Sequence, residues 1–149
     1  MLGEASRERW IQSYLYVVSG FALFQMEGRE ADCEHVVRKA LLGKQEIGDV
    51  IGMAYALDVL GWLAAKTGQE ERAAWLLGAA QPLWERGGSV RFSGTAIMED
   101  FHQQAERTAA EALGPKCYET FHNLGVTHVR KQLDELTPGQ PRRMDLQLP

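Results

Sequence analysis

The sequence predicts an all-α fold, an α-α superhelix of antiparallel helix hairpins followed by C-terminal helices, and three observations carry that prediction. Gly and Pro cut the chain into stretches of helical length, none of which alternates as a strand would. Apolar residues recur at the 3.6-residue period in several of those stretches. The turn at Gly28 returns at Gly68, forty residues on, and self-similarity at that period is a signature of stacked helical arrays.

The expected helices are roughly 7–27, 29–48, 50–67, 69–86, 95–113, 116–124 and 127–136. The first four are joined by breaks of one or two residues, which favours antiparallel hairpins, here 7–48 and 50–86. In the first helix Tyr14, Tyr16, Val17, Val18, Phe21, Leu23 and Phe24 cover more of the circumference than one packing partner hides. Tyr14, Val17, Phe21 and Phe24 therefore define an expected self-association surface, with a homodimer expected for the isolated chain. At the forty-residue offset Phe24 falls on Ala64, Cys33 on Ala73, Val37 on Leu77 and Ala40 on Ala80, so small or apolar residues recur where helices touch.

The third helix carries Met53, Leu57, Leu60 and Ala64 on one line, with little charge beyond Asp58 and Lys66. Gly68 caps it, and Glu70 and Glu71 put negative charge at the positive end of the next helix dipole. That fourth helix has Ala73, Leu76, Leu77, Ala80, Leu83 and Trp84 in one buried stripe, widened by Trp75 and Ala79, so it belongs mid-stack. Pro82 inside it predicts a bend. After a break at 87–94, Ile97, Phe101 and Ala105 begin a further stripe, and Val126, Val129, Leu133 and Leu136 a last one. Arg130 stands where a Glu would complete a capping box with Thr127. The helical domain is expected to span 1–136, and 137–149, which holds three of the five prolines, is expected to be a loosely ordered tail.

Composition narrows the function. The 149 residues are 45% hydrophobic and 24% charged, ordinary globular values. Sixteen Lys and Arg against twenty Asp and Glu supply no basic stripe, so direct nucleic-acid binding by this segment is not expected. The longest apolar stretch, 14–26, is broken by Ser19, Gly20 and Gln25 and falls short of the roughly 20 residues a bilayer span needs, so no membrane association is expected. The N-terminus has no signal-peptide pattern, and two distant cysteines, Cys33 and Cys117, suit a reducing cytoplasm.

The reactive side chains have packing roles as alternatives to chemistry. Cys117, His122 and His128 have zinc-ligand chemistry but no standard spacing and no fourth ligand, and Cys33 and His35 diverge on a helix. No metal or cofactor is expected. A nucleophilic Cys117 with His122 lacks an orienting group, and five positions on one helix separate the two round its circumference. Glu70 with Glu71, and Glu99 with Asp100, read as solvated helix starts or faces. No catalytic constellation emerges. Trp62, Trp75 and Trp84, with Arg91 and Phe92 in the break, are the candidate partner or ligand contacts.

The run Leu60-Gly61-Trp62-Leu63-Ala64, then Gly68, Ala73, Leu77 and Ala80, resembles the tetratricopeptide pattern. The run Gly68-Gln69-Glu70-Glu71-Arg72-Ala73-Ala74-Trp75-Leu76-Leu77-Gly78-Ala79-Ala80, with Ala112-Leu113-Gly114 and the closing helix, resembles the C-terminal helical-repeat region of bacterial, especially actinomycete, multidomain ATP-dependent regulators of the LuxR and antibiotic-regulator kind. That resemblance covers about 50–136. It implies a sensor or scaffold arm of a transcriptional regulator, one that binds a protein partner, the other domains of its parent or a small-molecule inducer, and helps hold the ATPase inactive. No Gly-x-x-x-x-Gly-Lys-Ser/Thr loop occurs in the chain. A stand-alone interaction scaffold shares the same fold, and a small enzyme or metal protein using Cys117 and His122 is the alternative from a different class.

Overall fold

The computed structural model describes residues 3–88, 91, 95–135 and 146–149. Among them are six α-helices and no strand: α1 (Glu4–Phe24), α2 (Glu30–Ile47), α3 (Val50–Lys66), α4 (Glu70–Arg86), α5 (Ala96–Leu113) and α6 (Pro115–Asp134). Gly28, Gly48, Gly68 and Gly88, each with positive φ, follow the first four helices at twenty-residue intervals. Only glycine takes that left-handed conformation without a Cβ penalty, and so the chain reverses where the glycines stand. At Gly48 the reversal is reinforced by Asp49, whose Oδ1 accepts the Gly52 N–H at 2.8 Å and caps α3.

Helix α3 lies between α1 and α5, α2 packs on both α1 and α3, and α4 packs on α3, α5 and α6. The core is drawn mainly from α3 and α4, with Met53, Leu57, Leu60, Leu76, Leu77 and Leu83 almost wholly enclosed. Fully burying each such side chain contributes on the order of 1.5–3 kcal/mol. Close helix approach depends on residues without bulk. A Cβ on Gly78 would collide with the His122 carbonyl, and one on Gly125 with the Trp75 carbonyl, so α4 and α6 meet backbone to backbone.

That contact corrects one sequence expectation. The chain was expected to break near Gly125 and start a new helix at Thr127; instead α6 is continuous from Pro115 to Asp134. Gly125 is a packing residue, and its missing side chain serves the neighbouring helix and not a turn. Pro115 at the first turn starts α6 where its absent N–H costs nothing. Helix α4 spans Glu70–Arg86 with buried Pro82 inside it, which deprives the Gly78 carbonyl of its usual helical donor.

Much of the 137–149 tail lies outside the described residues; within 146–149 Leu146 is buried and Leu148 rests on the core, while Gln147 and Pro149 are exposed. No helix among the described residues is long and apolar enough to cross a membrane.

Candidate functional site

Helices α1, α3 and α5 form the two walls and the floor of a channel. α1 and α5 make no close backbone approach; they meet through rings, Phe101 of α5 lying 5.9 Å from Phe21 and 5.2 Å from Phe24 in edge-on geometry. Trp62 of α3 lies beneath, within 6.0 Å of Phe101 and 5.8 Å of Phe24. These rings part the channel into two basins.

One basin, of about 480 Å³, is bounded by Phe24, Trp62, Phe101 and Ala105 and rimmed by Gln25, Lys66, Gln104 and Thr108. Lys66 is positioned by the Phe24 carbonyl at 3.2 Å, the Glu30 carboxylate at 3.7 Å and the Phe24 ring. The other, of about 360 Å³, is walled by Trp10, Tyr14, Val17, Val18 and Phe21 of α1 and by Ile51, Tyr55 and Met98 opposite. At its base is a nearly buried ion pair, Lys44 Nζ to Asp49 Oδ2 at 3.0 Å, and Lys44 also lies 5.1 Å from the Trp10 ring centroid.

Beneath the aromatic floor is a buried polar cluster. Asp58 is fully buried, and its Oδ2 accepts the Trp84 indole N–H at 2.8 Å. Arg91 Nε lies 3.7 Å from Oδ2 and His102 Nδ1 3.8 Å from Oδ1. Burial pushes the Asp58 carboxyl up to about 6, against the opposing pull of Arg91, His102 and the Trp84 N–H. Trp62 Nε1 donates to His102 Nδ1 at 3.3 Å, which assigns the ring hydrogen to Nε2, 2.8 Å from Glu106 Oε1. Arg91 Nη1 lies 2.9 Å from that same Nε2, which cannot donate to Glu106 and accept from Arg91 at once. The His102 hydrogen bond holds the Glu106 carboxyl below its ordinary range despite burial. Burial also raises the Tyr118 hydroxyl and lowers the His122 imidazole.

The cluster ties neighbouring elements together. It has acids, a base and a cation, but its central carboxylate has no solvent exposure, and neither basin is lined by it. It links α3, α4, Arg91 and α5, and through Trp62 it reaches the channel floor.

The sequence-predicted contacts fall in different places. Trp62 faces the channel yet is only 1% exposed, because its indole N–H is turned to His102. Trp84 is core, with its N–H on Asp58 and its ring against Tyr55. Trp75 is half-buried against His128 on the α6 side, away from the channel. Arg91 joins the polar cluster, and Phe92 lies outside the described residues. Of the expected self-association surface, Tyr14 is exposed and Val17 half-buried, whereas Phe21 and Phe24 turn inward to Trp62 and Phe101. The large apolar residues α1 exposes are Trp10, Ile11, Tyr14, Leu15 and Val18, of which Trp10, Ile11 and Leu15 are not among those the sequence argument uses.

Among the described residues no group of three or more His, Cys, Asp or Glu side chains is placed to hold a metal ion. Cys117 makes no hydrogen bond to His122, whose ring instead lies against Tyr118 at 5.7 Å. Cys33 is buried and donates to the Gly20 carbonyl at 3.3 Å, and burial pushes its thiol up to about 11, far from a reactive thiolate. No family model, curated protein or solved structure matches the chain.

Proposed function

We propose that the chain is a non-catalytic binding domain with a tetratricopeptide-like superhelix, whose α1–α3–α5 channel takes an apolar segment of a protein partner. The channel is the observation that carries this reading. It has aromatic rings at its floor, an exposed apolar wall on α1 and a polar rim at one end, the mix that orients a ligand while burying its apolar surface. Part of the helix packing supports the superhelix: α1 with α2 and α3 with α4 pair as hairpins and α1, α3 and α5 are successive neighbours, whereas α6 packs chiefly on α4 and only lightly on α5. The resemblance of the Gly68–Ala80 run to regulator repeat regions extends the proposal to a sensor or scaffold arm of a transcriptional regulator.

An apolar anionic dye, anilinonaphthalene sulfonate, tests the channel. Titrated into the native protein, it should bind with blue-shifted emission, and Val17→Asp should weaken binding about tenfold at unchanged circular dichroism, as expected for a charge placed in an apolar pocket. Equal dye binding by the folded variant would reject the channel. The regulator assignment is tested by the reading frame flanking the chain, where a nucleotide-binding domain supports it and an independent frame sinks it.

The exposed Trp10, Ile11, Tyr14, Leu15 and Val18 favour a second reading, pairing of two copies through α1. Light scattering across a wide concentration range decides it: a dimer that Leu15→Asp dissociates supports pairing, and a monomer throughout overturns it.

A further inference from the structure

Residues 146–149, Leu-Gln-Leu-Pro, belong to no helix or strand, yet they are seated on the helical body. Their burial alternates: Leu146 is buried, Gln147 exposed, Leu148 half-buried and Pro149 exposed. That period of two is how an extended peptide presents alternate side chains to a surface. The end of the segment is held by Arg72 of α4, whose Nε donates to the Pro149 carbonyl oxygen at 3.1 Å. The guanidinium is itself fixed, with Nη2 donating to Glu34 Oε1 of α2 at 2.7 Å and Nη1 to Gln69 Oε1 at 3.2 Å.

We propose that the surface beside Arg72, where α4 is tied to α2 through Glu34, is a binding site for an extended Leu-x-Leu-Pro segment, and that residues 146–149 are its tethered, exchangeable occupant. Arg72 reads a main-chain carbonyl, which any sequence offers, so the two leucines carry the selectivity. Covalent attachment makes seating intramolecular, so contacts that hold a free peptide only weakly keep this one seated. A free segment of the same chemistry must therefore compete with a resident at high effective concentration. This site is separate from the α1–α3–α5 channel and stands or falls without it.

The test is fluorescence anisotropy with a dye-labelled, C-terminally amidated peptide of sequence Met-Asp-Leu-Gln-Leu-Pro, matching 144–149. A protein shortened by removal of 136–149 should bind it saturably, and the full chain at least about tenfold more weakly. A peptide with both leucines replaced by Asp should not bind, and Arg72→Ala in the shortened protein should weaken binding roughly tenfold, the scale of one charge-assisted hydrogen bond. A folded shortened protein that leaves the peptide free at millimolar concentration, or equal binding by the full chain, overturns the proposal. Should the shortened protein not fold, the full chain carrying Leu146→Asp and Leu148→Asp takes its place under the same criterion, exceeding the unsubstituted chain.

Discussion

Helix α3 buries all but four of its seventeen residues, whereas α1, twenty-one residues long and rich in aromatics, fully buries only Ser13 and Gly20. The first turns of α1, Glu4–Arg9, are polar and account for part of that difference, but from Trp10 to Phe24 α1 is as rich in apolar residues as α3, and there the two helices differ in neighbours. α3 has α1 on one side, α5 on the other and α2 and α4 against it, while α1 touches only α2 and α3 closely. Its closest approaches use small residues, Gly20 against Val37 and Ser13 against Gly43, which lets the larger side chains splay to either flank. Apolar content sets what a helix can bury, and its place in the stack sets what it does bury.

Substitutions sharpen that contrast. The largest effect is expected at Asp58, where α3 is so enclosed that even a carboxylate is dry. Asp58→Ala strips the Trp84 N–H of its acceptor and Arg91 of a nearby countercharge, and should cost about 3–5 kcal/mol in urea unfolding. Leu60→Ala, also on α3, should cost about 2–5 kcal/mol by leaving a cavity. Gly125→Ala drives a methyl into the Trp75 carbonyl and should cost about 1–3 kcal/mol, with α6 shifted from α4 in amide chemical shifts. At the other extreme, Leu15→Ala on α1, where the side chain is 55% exposed, should stay within about 0.5 kcal/mol. A loss at Leu15 as large as at Leu60 would mean that α1 is covered in solution.

Acidity offers a finer probe of the enclosed helix. The folded-state pKa of Asp58, about 6, lies above its ordinary value of 3.8, so between those values the folded state binds more protons than the unfolded state. The stabilising contribution is thus full below about pH 4 and lost as pH rises through 6. Relative to Asp58→Asn, the unsubstituted protein should gain about 1 kcal/mol between pH 7 and pH 5. Glu106 works in the opposite sense, its lowered pKa giving stability that is lost on acidification, and the Asn comparison separates the two. A gain on raising the pH instead would show that Arg91 and His102 overcome burial at Asp58.

The hairpins were legible because two local signals agree: a glycine that must take positive φ, and an apolar stripe of helical period on either side of it. The same residue type misled at Gly125, since a glycine needed for a close crossing reads exactly like one needed for a turn until the partner backbone is placed. The sequence offers Trp62, Trp75 and Trp84 alike as groove contacts, with nothing local to separate the three. The turning of the Trp62 N–H to His102 was not legible, because the two are forty residues apart. Asp58 did leave a signal: a single acid in a helix otherwise apolar all round must be either exposed by the packing or answered inside it. The exposed wall at Trp10, Ile11 and Leu15 was invisible to periodicity, which cannot say which of several apolar faces lacks a neighbour.

The glycine crossing of α4 and α6 also bears on biosynthesis. As the chain leaves the ribosome, α1 to α4 can pair in order, each with the helix just made, and such local contacts form fast. The flank of α4 bearing Trp75, Gly78 and Ala79 receives its cover only when α6 arrives, some forty residues later. During that interval the nascent protein carries two uncovered apolar faces, one on α1 and one on α4, and the second closes with α6. Chaperone occupancy on the α4 face should accordingly end only once α6 has emerged.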